Sequence, residues 1–482
     1  MVAALHNVRG GIGLYQKVSP EIVARLCGIV QEKNVIYADR EKLEKYSHDE
    51  VAEKKYAHMP EVVVKPGSAV EVAAIMKLAK ELKIPVTPRG AGTGLSGGAV
   101  PVHGGILLSV ENMNRILEID LDNLIIVVEP GVVTNEINAA LEKYGLFFAG
   151  YPMSLQSCFI GGNVAENAGG GRAVKYGVTG RYILGLEVVL PDGEIVMLGG
   201  KRVKDVTGYN LVQLMVGSEG TLGIFTKIIL KLMPLPTAKM DLLALFPDIE
   251  TAMGVVPIIM TKGGIVPAGV EFMDRLSVTT TYEYLGEKMP YPETGAVLLI
   301  ELDGSRPEQL REDGMAISEL LAEHGSLEIY AAETPDTQEK IWKIRRNVAE
   351  AFKAISPVQS LEDVVVPISR IPDLMPHLKN LSEKYDVLIP CYGHAGDGNL
   401  HATVVKKRET SMEKWQEVLP RVLEELYTIV HGLGGTISGE HGIGHKRRAY
   451  MPLVMDKGQI ELMKRIKKAF DPENILNPGK VF

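Results

Sequence analysis

The chain has 482 residues, 46% hydrophobic and 23% charged, with 52 basic and 60 acidic side chains for a formal charge of −8. At roughly 150 residues per domain, two or three domains are expected, and the mildly acidic balance gives no electrostatic footprint for nucleic acid or an anionic membrane. Three isolated cysteines, Cys27, Cys158 and Cys391, exclude a disulfide framework and a cysteine-held iron–sulfur or zinc cluster. No stretch approaches the roughly 18 apolar residues of a membrane span, and Met1 to Gly13 lacks a basic start followed by an apolar run, so a cytoplasmic protein is expected.

From Glu61 short β runs alternate with single helices. Glu61 to Val64 reads as a strand, followed by a helix opened by a capping box, Ser68-Ala-Val-Glu71, and a strand at Ile84 to Thr87. Further strands are predicted at Ile106 to Ser109 and Leu124 to Val128, with a short helix at about Asn135 to Lys143. Leu184 to Leu198 reads as a hairpin around Pro191-Asp192-Gly193, and Gly223 to Met233 closes the block. Pro234-Leu-Pro236 marks a boundary. Beyond it, long polar helices (Arg306 to Glu323, Thr337 to Ala354) and strands such as Gly295 to Glu301 predict helices layered on a sheet. The expected division is 1–236, 237–425 and 426–482, with the last segment returning to the first.

Glycine makes up 50 residues, about 10% against a usual value of about 7%, and the excess is clustered. The first cluster, Pro88-Arg89-Gly90-Ala91-Gly92-Thr93-Gly94-Leu95-Ser96-Gly97-Gly98, formally matches a dinucleotide fingerprint. That fingerprint needs a helix directly after it, whereas Ala99 to Gly105 leads into a strand. The loop still presents backbone N–H groups without Cβ obstruction, which suits a pyrophosphate. The second cluster, Ser157 to Gly171, mixes small and amide residues and lets backbone approach a flat ligand; Gly217 to Gly223 is the third.

A different constellation lies in Tyr392-Gly-His394-Ala-Gly-Asp397-Gly398-Asn-Leu-His401, two apolar runs flanking Asp-Gly, a favoured hairpin dipeptide. With Asp397 and Gly398 as a two-residue loop, His394 and His401 stand directly opposite, Cβ atoms about 5 Å apart. Imidazoles so placed converge on one cation at about 2.0 to 2.1 Å per bond. Ser438-Gly-Glu440-His441-Gly-Ile-Gly-His445 supplies a carboxylate and two more imidazoles on a loop too glycine-rich for a core. Trp342-Lys-Ile-Arg345-Arg346 falls on a predicted helix, where a solvated basic face is the default reading.

In this order and spacing the motifs resemble the vanillyl-alcohol oxidase/PCMH-type flavoproteins over nearly the whole chain, most narrowly the branch of D-2-hydroxyacid dehydrogenases that includes flavin D-lactate dehydrogenases and the FAD subunit of glycolate oxidase. The resemblance implies an α+β fold: a PCMH-type FAD-binding domain of two α/β subdomains, an α+β cap domain with an antiparallel sheet, and a helical C-terminal segment. It places FAD against Pro88, Arg89, Gly90, Ala91, Gly92, Thr93, Gly94, Ser96 and Gly98, then Pro130 and Gly131. Pro152, Ser157, Ile160, Gly161, Gly162, Ala165, Asn167 and Gly170 follow, and Glu219, Gly223, Ile224 and Asn477 complete the set. Some members attach FAD to a histidine just after the Arg-Gly of the first loop; here Ala91, Gly92 and Thr93 stand there, so non-covalent FAD is expected.

The resemblance further implies a divalent metal (Zn, Fe or Mn) on His394, His401 and Glu440, His441 as base, and Arg345 on the substrate carboxylate; His445 is left a structural hydrogen bond. A dicarboxylate-using branch carries a lysine near the strand matching Asp363 to Pro367, where this chain has Leu361, Glu362 and Asp363. A small monocarboxylic D-2-hydroxy acid, D-lactate or glycolate, is therefore expected over 2-hydroxyglutarate. Electrons would leave to an electron-transfer flavoprotein, an iron–sulfur subunit or a quinone. The rivals are a non-catalytic FAD subunit of a multi-subunit hydroxyacid oxidase, and a metallohydrolase, which leaves the glycine clusters unexplained.

Overall fold

The computed structural model describes residues 15–150, 152–289 and 291–482; the N-terminal stretch read above for a targeting signal, Met1 to Gly13, lies outside them. The chain forms two compact units. The first comprises Met1–Ala168, Val178–Leu235 and Glu440–Phe482, and the second comprises Gly169–Gly177 and Pro236–Gly439. The C-terminal return thus begins at Glu440. Residue 426, where the sequence suggests it, lies inside the amphipathic helix Met412–Gly432, whose Trp415, Leu419, Leu423 and Leu426 are buried.

In the first unit, a four-stranded sheet runs in the order Val35–Tyr37, Val62–Val64, Ile106–Ser109, Val86–Arg89. Its last three strands are parallel and all-apolar Val62–Val64 is buried throughout, as a parallel strand covered on both faces should be. Helix Ala69–Leu82 packs on it through Val72, Ile75, Met76 and Ala79. Only half of its capping box forms: Ser68 accepts the Glu71 N–H at 3.3 Å, while the Glu71 carboxylate turns back to the Gly67 N–H at 2.6 Å. The second sheet has five strands, and the predicted hairpin pairs Ile183–Val189 with Ile195–Gly199. A short helix, Ile160–Glu166, arises within the second glycine cluster. It ends on Asn167 in the left-handed conformation (φ 55°), which asparagine tolerates.

The second unit is built on a seven-stranded antiparallel sheet, in the order Glu328–Ala332, Ala238–Phe246, Ala296–Gly304, Gly269–Asp274, Cys391–His394, Asn399–Val405, Gln359–Val365. Long helix Pro335–Ile355 lies on one face, where Ile341, Ile344, Val348 and Phe352 pack against Leu243, Leu245, Val297 and Leu299. Register puts Asp241, Glu301, Glu271, His394, His401 and Asp363 on that same face. A polar row interrupting an apolar sheet face is what a binding site requires and a core does not.

Candidate active site

The glycine clusters meet in the first unit. A cavity is lined by Pro88, Arg89, Gly90 and Gly98 of the first cluster, Gly161, Gly162 and Ala165 of the second, and Glu219, Gly223 and Ile224 near the third, with Pro130 and Asn477. The glycines are needed for two reasons. A Cβ on Gly161 would stand 2.6 Å from Pro130 Cβ, and one on Gly223 2.3 Å from Val188 Cγ1, so these glycines let elements close on one another. At Gly162 nothing lies within 4 Å of a built Cβ; there the missing side chain leaves room for a flat ligand. A glycine-walled cavity of this kind fits FAD.

The C-terminal return fixes these walls. Asn477 Nδ2 donates to the carbonyls of Gly98 (3.1 Å) and Glu219 (2.8 Å). The Glu219 carboxylate accepts the N–H groups of Ile443 (2.8 Å) and Gly444 (2.6 Å), so it spends its oxygens on the loop following His441. Of the residues the resemblance assigns to FAD, Ala91, Gly92, Thr93, Gly94, Ser96, Gly131, Pro152, Ser157, Ile160 and Asn167 do not line this cavity, and Gly170 belongs to the second unit. Segments distant in sequence hold the tip of the first loop: Gly97 N–H donates to Asp49 at 2.7 Å, and the Ser96 carbonyl accepts from His445 and Lys446 N–H at 2.9 Å. His445 Nδ1 lies 3.3 Å from the Gly479 carbonyl, a structural contact.

Glu166 was not legible as a cavity residue. Its carboxyl is buried among these walls; burial first, then Glu219 and Asp49, push its pKa well above the usual carboxylate range. Gly220 of the third cluster also lines the cavity, as do Ala99, Val110 and Phe225, which no motif marks.

In the second unit the hairpin is real but its register differs from the two-residue reading. His394 pairs with Asn399 and Tyr392 with His401, so the loop is Ala395 to Gly398. The cause is visible in the turn. Gly398 N–H donates to the His394 carbonyl at 3.1 Å, closing a four-residue loop, and Gly396 N–H is drawn to the Val270 carbonyl at 3.2 Å on the neighbouring strand. Gly398 sits at φ +84°, where a Cβ would meet the Val366 carbonyl at 2.0 Å. His394 and His401 are therefore diagonal neighbours, not directly opposed. They still share a face, with ring centroids 5.4 Å apart and planes at 84°.

Carboxylates tie this face together. Glu271, directly across from His394 and 2% exposed, accepts from His394 Nδ1 at 2.5 Å and from Arg345 Nε at 2.7 Å. Burial raises its pKa, but His394 and Arg345 more than offset this and hold it at about 2. Trp342, one turn before Arg345, donates its indole N–H to Asp241 at 3.1 Å. Burial and then Glu301, directly across the sheet, push Asp241 up to about 7. Both ends of the Trp-x-x-Arg motif are thus held by carboxylates of the sheet. Arg345 is 6% exposed and stacks over the Tyr392 ring at 5.1 Å, far from the solvated basic face that is the default for such a run. Arg346 carries that default, paired with Glu339 at 2.6 Å on the surface.

Asp363, directly opposite His401, accepts from Asn399 Nδ2 (2.7 Å), Ser438 Oγ (2.8 Å) and Gly439 N–H (2.9 Å). It anchors the backbone up to the residue before Glu440. Glu362 points to the opposite face, where Ser360 Oγ (2.6 Å) and Tyr427 donate to it. Glu440 and His441 open the last segment of the first unit, Glu440 Oε1 3.5 Å from His441 Nε2. Within the second unit, the imidazoles of His394 and His401 on one face with the Asp363 and Glu271 carboxylates are donors of the kind a divalent metal takes.

Residues 235–481 match the family model for FAD linked oxidases, C-terminal domain, and residues 60–199 that for an FAD binding domain. The chain belongs to the FAD-linked oxidases. Its relatives include the glycolate oxidase subunit GlcD of Bacillus subtilis, 41% identical over 91% of this chain and 92% of that protein. D-lactate dehydrogenase of Anaerostipes hadrus is 39% identical over 97% and 98% respectively. These place the oxidase in the D-2-hydroxyacid dehydrogenase branch. Among solved structures, p-cresol methylhydroxylase superposes with a TM-score of 0.77 at 19% identity, covering 95% of this chain and 96% of that one, which shows a shared PCMH-type α+β fold. No helix among the described residues is long and apolar enough to cross a membrane.

The oxidase is expected to release its FAD into the supernatant on acid precipitation, because Ala91, Gly92 and Thr93 leave the first loop without a histidine for covalent attachment. Yellow colour staying with the washed pellet would contradict this.

Proposed function

We propose that this FAD-linked oxidase oxidises a small D-2-hydroxy acid, D-lactate or glycolate, to the 2-oxo acid and passes the electrons to a separate acceptor. The observation that carries the reading is Arg345. A guanidinium 6% exposed costs several kcal/mol to bury. Glu271 takes only its Nε–H, and among the described residues neither Nη group donates a hydrogen bond. That leaves the end-on fork, two parallel N–H vectors, for a planar carboxylate. The names of the relatives, a glycolate oxidase subunit and a D-lactate dehydrogenase, agree in substrate class.

The residues then divide the work. Arg345 holds the C1 carboxylate, which fixes C2 and its hydroxyl. His441 takes the hydroxyl proton. His394, His401 and Glu440 are the proposed ligands of a divalent ion. What FAD supplies when bound is an acceptor for the C2 hydride, and what a divalent metal supplies is polarisation of the C2 hydroxyl. Three scattered cysteines cannot ligate an iron–sulfur cluster within the chain, so the onward acceptor is an electron-transfer flavoprotein, an iron–sulfur subunit or a quinone.

Metal removal tests the ligand set. A chelator should abolish reduction of the bound flavin by D-lactate while leaving FAD in place, and adding back Zn, Mn or Fe should restore it. Full-rate reduction by a metal-free preparation would contradict the proposal.

A further inference from the structure

Glu271 lies in Gly-Val-Glu-Phe-Met-Asp, a strand buried at all six positions. An acid there is expensive unless its oxygens are satisfied. Both are: Oε1 takes His394 Nδ1 and Oε2 takes Arg345 Nε. Both side chains are 2% exposed, and Gly171 lies so close that a Cβ on it would stand 2.4 Å from Glu271 Oε1 and 3.4 Å from His394 Nδ1.

We infer that Glu271 is the positioning residue that orients, through one carboxylate, both the histidine proposed to bind metal and the arginine proposed to bind substrate. The chemistry of the acceptor dictates this. An ionised carboxylate only accepts hydrogen bonds, so the ring nitrogen facing it must carry the proton. His394 is thereby held in the Nδ1–H tautomer, and its Nε2 is the atom that carries the lone pair for a metal. On the other oxygen, engaging Nε of Arg345 fixes the guanidinium plane and turns the Nη1/Nη2 edge outward. Tyr392, under the guanidinium at 5.1 Å, keeps the plane from rotating. The carboxylate and the metal would thus hold fixed relative positions, which is what a two-point grip on a 2-hydroxy acid needs.

This inference rests on the metal and carboxylate roles proposed above, and its test separates the two. Glutamine at 271 keeps the volume but has one accepting oxygen, so its NH₂ either opposes the Arg345 Nε–H or drives His394 to the Nε2–H tautomer, which takes away the lone pair for a metal. The Glu271→Gln protein should keep its FAD. Its zinc affinity, measured by chelator competition, should fall about 10-fold or more, and calorimetric pyruvate affinity should fall with it. Glu271→Asp keeps the charge and should recover part of both; it also serves as the variant to measure should Glu271→Gln not fold. A purely structural role would lower the thermal midpoint and leave both affinities of the folded protein unchanged, and that result overturns the inference. His394→Ala measured in parallel distinguishes the failures. Metal lost in His394→Ala with wild-type zinc and pyruvate affinities in Glu271→Gln would overturn the inference alone, whereas full metal in His394→Ala would overturn the ligand assignment and the inference together.

Discussion

His441→Ala should slow substrate-driven flavin reduction by about 100-fold or more, the scale of losing a positioned general base, while metal and FAD stay bound. Neighbours in sequence divide the labour. Glu440 is proposed as a ligand and His441 as the base, and the backbone leading to them is set by the Asp363 contacts to Ser438 and Gly439. Removing an imidazole that only moves a proton leaves that scaffold intact. The residual rate should rise with pH as hydroxide takes over the proton. His394→Ala and His401→Ala should instead lower metal content and flavin reduction together, with partial rescue by added metal. Metal loss in His441→Ala, or full retention in His394→Ala, would show that the roles are exchanged.

Arg345→Met should weaken substrate binding by about 2–4 kcal/mol, the cost of leaving a carboxylate without its charged partner, which is roughly 30- to 1,000-fold. FAD content should be normal. The structure adds a consequence that the motif alone does not carry. Arg345 is also the ion-pair partner of buried Glu271 at 2.7 Å, so methionine there leaves a buried charge half-compensated and should lower thermal stability as well. Arg345→Lys separates the two effects. An ammonium keeps a positive charge on Glu271 but loses the planar fork, so stability should largely return while substrate binding does not. Unchanged kinetics in both variants would show that another residue holds the carboxylate, and Arg346, paired with Glu339 on the surface, is poorly placed for it.

What was legible in the sequence followed locality. Strands at Ile106–Ser109 and in the hairpin after Ile183, and the helix at Pro307–Glu323, are patterns of neighbouring residues and stand nearly where the sequence puts them. The Asp397-Gly398 turn shows the limit: the dipeptide marks a hairpin, but its loop length depends on Gly396 bonding to Val270, far away in sequence. The half-formed capping box is the same lesson at short range, because Gly67 competed for the Glu71 carboxylate.

Among site residues, Arg345 and the two histidines were marked by motifs. Glu271, 74 residues from Arg345 and 123 from His394, was not. Its one local signal was a carboxylate in the middle of an otherwise strand-forming run, Gly-Val-Glu271-Phe-Met-Asp274. Asp363, beside Glu362 in the strand Gln359–Val365, carried a similar signal, and its contacts explain it as an anchor for Ser438 and Gly439. Glu166 had no signal, since its neighbours in the cavity come from the first glycine loop and the C-terminal return.

The most direct test is to mix the FAD-loaded oxidase anaerobically with D-lactate, L-lactate, glycolate and D-2-hydroxyglutarate in parallel and follow the oxidised-flavin absorbance. Rapid bleaching by D-lactate or glycolate, with L-lactate and the dicarboxylate slow or inert, is the predicted result. A flavin that none of these acids reduces, in protein holding its full complement of metal, would contradict the account.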